Sequence, residues 1–326
     1  MSVPPGYLRV NKRNPCPVCG KKDWCMISSD GKTAVCARIE SPREFGGAGW
    51  LHQLDKPLPA APVPPPAANL VRAAPDTLNA VYTGFLSLLT LSGPHRENLR
   101  ARGLTDKQIS ELGYKTMPGS GRRELVGRLI SLGYKLAGVP GFYYEGQWRL
   151  AGPGGILIPV RDYFRRIKGL QIRTDNVTAG SKYIWLSSSK YNGGSSPGPP
   201  FFHVAWPAGY EYGDGDDIWI TEGPLKGDIA AAKIFRLFLA VTGVSNWYSV
   251  IPFLHDLSPK PSRVVIAFDM DKNKADRDHR FVRLYLNRLT EKLLQLGFRT
   301  FEADWNADYK GIDDLCLKKK QSQISR

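Results

Sequence analysis

From residue 216 onward the chain alternates short apolar runs with longer helical ones, and that alternation leaves few folds open to it. Asp217-Ile218-Trp219-Ile220-Thr221 reads as a strand and Leu225 to Leu237 as a helix. Phe238-Leu239-Ala240-Val241 is a second strand, and Asn246 to Leu257 is a second helix. Arg263-Val264-Val265-Ile266-Ala267-Phe268 is a buried strand. Phe281, Val282, Tyr285, Leu286, Leu289, Leu293 and Leu296 then keep a helical period that Gly297 ends. A further strand, Arg299 to Asp304, closes the run. Strands alternating with helices build a mostly parallel sheet flanked by helices, and such sheets bind ligands beyond the carboxyl ends of their strands.

Those ends carry acids. Glu222 follows Ile218-Trp219-Ile220-Thr221 directly, with Gly223 making room behind it. Asp269 and Asp271 follow Val264 to Phe268; two residues apart in an extended backbone, they point to one side and can share a cation. If the two strands are neighbours, Glu222 joins them. Converging carboxylates offer hard oxygen ligands, which suit Mg²⁺ or Mn²⁺ and phosphoryl or nucleotidyl transfer.

The chain before residue 216 is organised differently. Residues 55–75 (DKPLPAAPVPPPAANLVRAAP) are largely Pro and Ala, which favours an extended, semi-rigid spacer. It sets off a small module, residues 1–54. Residues 76–213 mix helix and strand. Thr105 and Gln108 form a capping box, Leu104 and Ile109 a hydrophobic staple, and Gly113 ends the helix they start. Strand-like runs follow in GFYYEGQWRLA, GILIPVRD, RIKGLQIRTD and KYIWLSS.

Four of the five cysteines crowd into residues 16–36, and the N-terminus has no apolar signal segment, so metal ligation is favoured over disulfides. Cys16-Pro17-Val18-Cys19-Gly20 is a knuckle whose two thiolates reach one zinc ion. A hairpin turning at Ser29-Asp30-Gly31-Lys32 returns Cys36 as a third ligand. For the fourth there are two candidates. Cys25 lies opposite Cys36 in that hairpin; His52 follows a Gly-rich turn and swings back, and the balance tips slightly to His52. Trp24 and Trp50 read as core of this module.

The net charge of +15 is segregated. Residues 76–213 carry 17 Lys and Arg against 9 Asp and Glu, whereas residues 214–315 carry 14 against 16. A basic body suits a polyanion, because each phosphate contact releases counterions. No run of about 18 apolar residues exists to cross a membrane, and a cytoplasmic protein is expected. No G-x-x-x-x-G-K-[ST] is present, so no P-loop motor is expected within these residues, and any unwinding is left to a partner or to a longer parent protein.

ITEGPLKGD, IAFDMDK and KGIDDL resemble the motifs of the TOPRIM fold, shared by bacterial-type primases, topoisomerases and some nucleases. GILIPVRD, RIKGLQIRTD and KYIWLSS look like the basic half of the bacterial-type primase core, and the knuckle is similar to the zinc ribbon preceding it. The series resembles primases of phages, plasmids and other mobile elements. It implies an α/β chain: a zinc ribbon (1–54), a linker (55–75), an α+β basic subdomain (76–213), a Rossmann-like TOPRIM core (214–315) and a basic tail (316–326). It also implies metal-binding acids at Glu222, Asp269 and Asp271, with a further acidic site at Asp313 and Asp314. Arg173 and Lys182 match residues that hold template or incoming nucleotide, and Arg161 sits beside them. Where these primases commonly carry an acid four residues after the motif glutamate, this chain has Lys226, which puts a full second metal site in doubt and offers a phosphate contact. The expected activity is primer synthesis on single-stranded DNA from nucleoside triphosphates, with a replicative helicase as partner. A TOPRIM nuclease or topoisomerase-like enzyme, or a non-catalytic replication accessory, shares some of these features.

Overall fold

A computed structural model describes residues 3–4, 6–12, 14–54, 70–176, 181–199, 201–270, 280–306 and 308–318. The chain divides into two compact units, Met1–Pro66 with Asp271–Asn287, and Ala67–Met270 with Arg288–Arg326.

The first unit holds four short strands, β1 (Tyr7–Arg9), β2 (Met26–Ser28), β3 (Thr33–Cys36) and β4 (Trp50–Gln53), paired antiparallel in that order. The β2–β3 turn is set by Asp30, whose carboxylate accepts from the Ser28 hydroxyl (2.6 Å) and the Lys32 amide (3.1 Å). Met26, Val35 and Ala48 make a small core against Tyr7, Phe45 and Leu51. Trp50 is buried, as expected, but Trp24 is 46% exposed and does not belong to that core.

In the second unit the chain begins with α1 (Pro75–Ser87), α2 (Gly93–Ala101), α3 (Asp106–Leu112), β5 (Lys115–Thr116) and α4 (Arg122–Ser131). The hairpin β6 (Phe142–Tyr144) and β7 (Trp148–Leu150) follows, then β8 (Gly155–Arg161), β9 (Ile167–Thr174) and β10 (Tyr183–Trp185). The last three form an antiparallel sheet with β5, in the order β10-β9-β8-β5. Leu157, Leu170 and Ile172 of that sheet pack on Leu78, Tyr82 and Phe85 of α1 and Val126 and Leu129 of α4. The capping box forms as the sequence indicates: Thr105 and Gln108 bond reciprocally at the start of α3, and Gly113 closes it with φ 77°.

Residues 70–74, grouped with the spacer from sequence, are bonded onto this unit. The Leu70 amide donates to Gly194 O (2.9 Å), the Ala73 amide to Gly138 O (2.8 Å) and the Arg72 guanidinium to Lys168 O (2.6 Å). Pro75 already opens α1, as proline does well in a first helical turn, so only residues 55–69 of the expected linker remain, outside the described residues.

The chain then enters a five-stranded sheet through β11 (His203–Ala205), β12 (Asp217–Glu222), α5 (Pro224–Ile234) and β13 (Leu237–Val241). A 3-10 helix (Val244–Val250) leads into α6 (Ile251–Asp256), then β14 (Arg263–Ala267), α7 (Arg280–Gln295), β15 (Thr300–Glu302) and α8 (Ile312–Lys318). The single helix expected over 246–257 is split because Pro252 has no N–H to continue a helix through it but fits the first turn of α6. The strand order is β11-β13-β12-β14-β15, with β13, β12, β14 and β15 parallel and β11 antiparallel at one edge. α8 runs through the expected boundary at 315/316, so Cys316 is buried with Ile312, Ala230 and Ala267 rather than belonging to a tail.

The antiparallel sheet and α5 share a core: Ile156 and Ile158 of β8 meet Leu225 and Ile229 of α5 beside Tyr114. A buried polar network pins the same contact. Asp228 of α5, 4% exposed, accepts from the Tyr114 hydroxyl (2.5 Å) and from His203 Nε2 (2.9 Å). The Arg161 amide donates to His203 Nδ1 (2.9 Å), so that nitrogen is the acceptor and the proton lies on Nε2. Burial, then the neighbouring Asp228 carboxylate, pushes the Tyr114 hydroxyl well above its ordinary pKa, so it stays a donor. Tyr114→Phe is expected to lower stability by about 1.5–3 kcal/mol, the worth of a hydrogen bond to a buried charge, in urea unfolding of the full chain. A change below about 0.5 kcal/mol would show that the network does not pin α5.

Candidate functional site

The first unit gathers Cys16, Cys19, Cys25 and Cys36, whose sulfurs all lie within 4.8 Å of one another. Cys19 Sγ is 3.7 Å from Cys25 Sγ, and Cys25 Sγ is 3.9 Å from Cys36 Sγ. Four thiolates about 2.3 Å from a tetrahedral zinc stand at that kind of separation, so the set fits the ion. Backbone amides support the sulfurs as they support a ligated thiolate: Ala37 N donates to Cys25 Sγ (3.4 Å), and Arg38 N and Ile39 N to Cys36 Sγ (3.4 and 3.2 Å). Hydrogen bonds from the Cys16 and Cys25 thiols push Cys36 down, while hydrogen bonds with Cys16 and Cys36 push Cys25 up. One thiolate held by its neighbours is an arrangement a divalent cation takes over.

The slight preference for His52 is corrected here. The register Met26↔Val35, continued by one residue, sets Cys25 opposite Cys36. His52 instead lies on β4 across from Ala34, and its Nε2 donates to the Ile39 carbonyl (2.9 Å).

The second unit collects acids beyond the carboxyl ends of neighbouring parallel strands. β12 and β14 pair in register from Asp217↔Arg263 to Thr221↔Ala267, which brings Glu222 and Asp269 to one edge of the sheet. The buried Thr221 hydroxyl donates to Ala267 O (3.0 Å) and ties the two ends together. Gly223, with φ 84°, turns the chain from β12 into α5. Lys226, in the first turn of α5, forms an ion pair with Asp269, which is only 6% exposed. The Met270 amide donates to Lys310 O (2.8 Å), holding the end of β14 to the segment that leads into α8. Through it Asp313, also 6% exposed, joins the group. Gly311 is what lets them meet: a Cβ there would lie 2.4 Å from Asp313 Oδ1 and 3.1 Å from Lys226 Nζ. Asp314 is exposed and accepts from the Gly311 amide (3.1 Å), so it serves the turn. Asp271 lies outside the described residues.

Burial works against the charge on Lys226, but Asp269, Glu222 and Asp313 outweigh it and raise its pKa. Burial raises that of Asp313, against Lys226 and Arg102, whose Nη1 is 3.4 Å from Asp313 Oδ2. Carboxylates are the hard oxygen donors that Mg²⁺ or Mn²⁺ takes, but among the described residues only the four cysteines bring three or more ligand atoms close enough to share one ion as they stand.

Basic residues flank the acids. Arg173 on β9 stands opposite Tyr183 of β10, next to the exposed Lys182. Burial lowers the pKa of Lys182, and so do the charges of Arg173, Arg102 and Lys310, while Asp313 opposes them. The basic strands and the acidic edge therefore share one locality. Arg161 stands apart from it: its guanidinium donates to Arg165 O (3.1 Å) and Leu112 O (3.4 Å), and burial lowers its pKa against the pull of Asp228. Sequence reasoning passed over Arg102, Lys310, His203 and Asp228 in its network. Only the His inside the apolar run Phe201-Phe202-His203-Val204-Ala205 gave a local sign, because a buried histidine needs partners.

The chain superposes on solved bacterial primases. It matches the zinc-binding and RNA polymerase domains of the Aquifex aeolicus primase with a TM-score of 0.60 at 16% identity, over 77% of this chain and 60% of that one. It matches the RNA polymerase domain of the Mycobacterium tuberculosis primase DnaG with a TM-score of 0.54 at 15% identity, over 77% and 82%. A DnaG catalytic domain bound to single-stranded DNA matches with a TM-score of 0.51 at 17% identity, over 76% of each chain. This is the fold of a bacterial primase core. By sequence, residues 215–323 match a domain of unknown function (DUF3854), and no curated protein matches the chain. No described helix is long and apolar enough to cross a membrane.

Elemental analysis of reduced protein is expected to find about one zinc per chain. Cys25→Ser is expected to lose it and His52→Ala to keep it; the opposite result would return the fourth position to His52.

Proposed function

We propose that the chain is a DNA primase: a zinc ribbon joined to a TOPRIM-type core that makes short primers on single-stranded DNA from nucleoside triphosphates. The observation that carries the reading is the convergence of Arg102, Arg173, Lys182 and Lys310 on the edge that bears Glu222, Asp269 and Asp313. Acids alone at a strand end would suit many metal sites. Acids beside cations suit a site where negatively charged phosphates meet a divalent metal. The primase fold and the four-cysteine cluster support the same reading.

In this reading a primer 3′-oxygen attacks the α-phosphate of an incoming nucleotide, a P–O bond forms, and pyrophosphate leaves. Glu222, Asp269 and Asp313 would hold the metal, with Asp271 as a further acid. A bound divalent ion supplies Lewis-acid stabilisation of the phosphate charge. Arg173 and Lys182 bind template or nucleotide phosphates, and Arg102 and Lys310 add to the positive rim. The basic excess of residues 76–213 attracts the DNA backbone over a longer range.

Asp269→Asn is expected to abolish dinucleotide formation on single-stranded DNA while DNA binding persists, since a negative charge near the phosphates is removed. Arg173→Ala and Lys182→Ala are each expected to weaken binding and to lower the slope of log affinity against log salt by about 1. Primer synthesis by Asp269→Asn at the wild-type rate would overturn the reading in favour of a DNA-binding accessory.

A further inference from the structure

Two half-buried cations of the second unit, Arg72 and Lys168, have no ion pair among the described residues. β10 pairs with Gln171 to Arg173 of β9, and the Leu186 amide reaches Leu170 O (2.8 Å). Past that point Arg72 closes the edge of β9, its Nη2 donating to Lys168 O (2.6 Å). Among the described residues this is the one hydrogen bond of the Arg72 side chain, and its Nε is buried without an acceptor. The Lys168 ammonium lies 4.9 Å from the centre of the Phe201 ring, and the Arg72 guanidinium meets the same ring at 5.5 Å. Phe201 and Trp185 cover Gly169, where a Cβ would lie 3.1 Å from each, on the face of β9 that carries Arg173. Burial lowers the pKa of Lys168 against the pull of Asp162, and Arg72 and Arg166 lower it further. Burial lowers that of Arg72 as well. Asp162 is already taken by Arg166 (2.9 Å). A ring face offsets part of the burial of a cation but none of the repulsion between two, so an anion is the missing partner.

We propose that Arg72 and Lys168 hold a backbone phosphate of single-stranded DNA, separate from the phosphates that meet Arg173 and Lys182. The inference rests on the reading of the chain as a protein that binds single-stranded DNA, and it extends the path of the strand along β9. Lys168 is five residues before Arg173, about 17 Å at about 3.3 Å per residue, so one phosphate cannot serve both. A stacked strand, with a phosphate about every 3.4 Å, reaches from one to the other. The guanidinium presents a fork of donors to phosphate oxygens, and the ammonium adds a compact charge. A free nucleoside triphosphate carries the same chemistry, and the test separates the two sources.

The test is fluorescence anisotropy of a twelve-nucleotide oligothymidylate with the zinc-loaded full chain, repeated over a range of salt. Lys168→Gln is expected to weaken binding and to lower the slope of log affinity against log salt by about 1, and Lys168→Glu to weaken it further. Lys168→Gln combined with Arg173→Ala is expected to lose the sum of the two single effects, as separate phosphates require. Affinity for ATP, measured by calorimetry, is expected to be the same in Lys168→Gln as in wild type. Circular dichroism melting identifies folded variants, and Arg72→Gln, read in the same way, decides if neither Lys168 variant folds. Unchanged strand binding in folded variants, or a double variant no weaker than Arg173→Ala alone, would overturn the proposal. A fall in ATP affinity with strand binding intact would overturn it too, in favour of a free nucleotide. The expected slope changes in a chain that makes no primers would sink the proposed function and leave this inference standing. Primer synthesis by a chain whose Lys168 variants bind the strand as wild type does would do the reverse.

Discussion

Carboxylates gathered at one edge of a sheet repel one another, and much of the second unit is arranged to make that repulsion tolerable. The parallel pairing of β12 with β14 brings Glu222 and Asp269 together, and the turn at Gly311 adds Asp313. Two of these acids are almost fully buried, where an uncompensated charge costs several kcal/mol. Lys226 answers Asp269, and Arg102 stands against Asp313. Arg173, Lys182 and Lys310 stand in the same neighbourhood, so acids and cations share this edge of the sheet.

The same logic governs a charge that takes no part in the site. Asp228 is two residues beyond Lys226, but its carboxylate is held by His203 and Tyr114. That closed network lets α5 run between two sheets with an acid in its middle, since each buried polar atom has its partner. Two of the charges on α5 thus have different surroundings: Lys226 pairs with Asp269 at the strand ends, and Asp228 fastens the helix between the sheets.

In the first unit, four cysteines gather at the place where a larger domain would have an apolar core. Its strands are three or four residues long and its apolar cluster is small, so little burial is available to hold them. A zinc ion on Cys16, Cys19, Cys25 and Cys36 would tie the knuckle to the β2–β3 hairpin, and the free energy of metal binding would become free energy of folding.

Local pattern sufficed for the strand–helix alternation, the capping box at Thr105, the hairpin at Asp30 and the acids at strand ends, because these depend on side-chain period and on hydrogen bonds within a few residues. It failed where partners come from far along the chain. Lys226 and Asp269 are 43 residues apart, and Tyr114 and Asp228 are 114 apart. Nothing near Arg161 in the chain announces its carbonyl partners, one of them on Leu112. The choice of Cys25 over His52 needed the β3–β4 register, which places His52 against Ala34 and spends its Nε2 on Ile39. The sequence by itself determined which residues can carry charge or bind metal; strand order and register decided which of them meet, because opposing charges and ligands act over a few ångströms of space, whatever their separation along the chain.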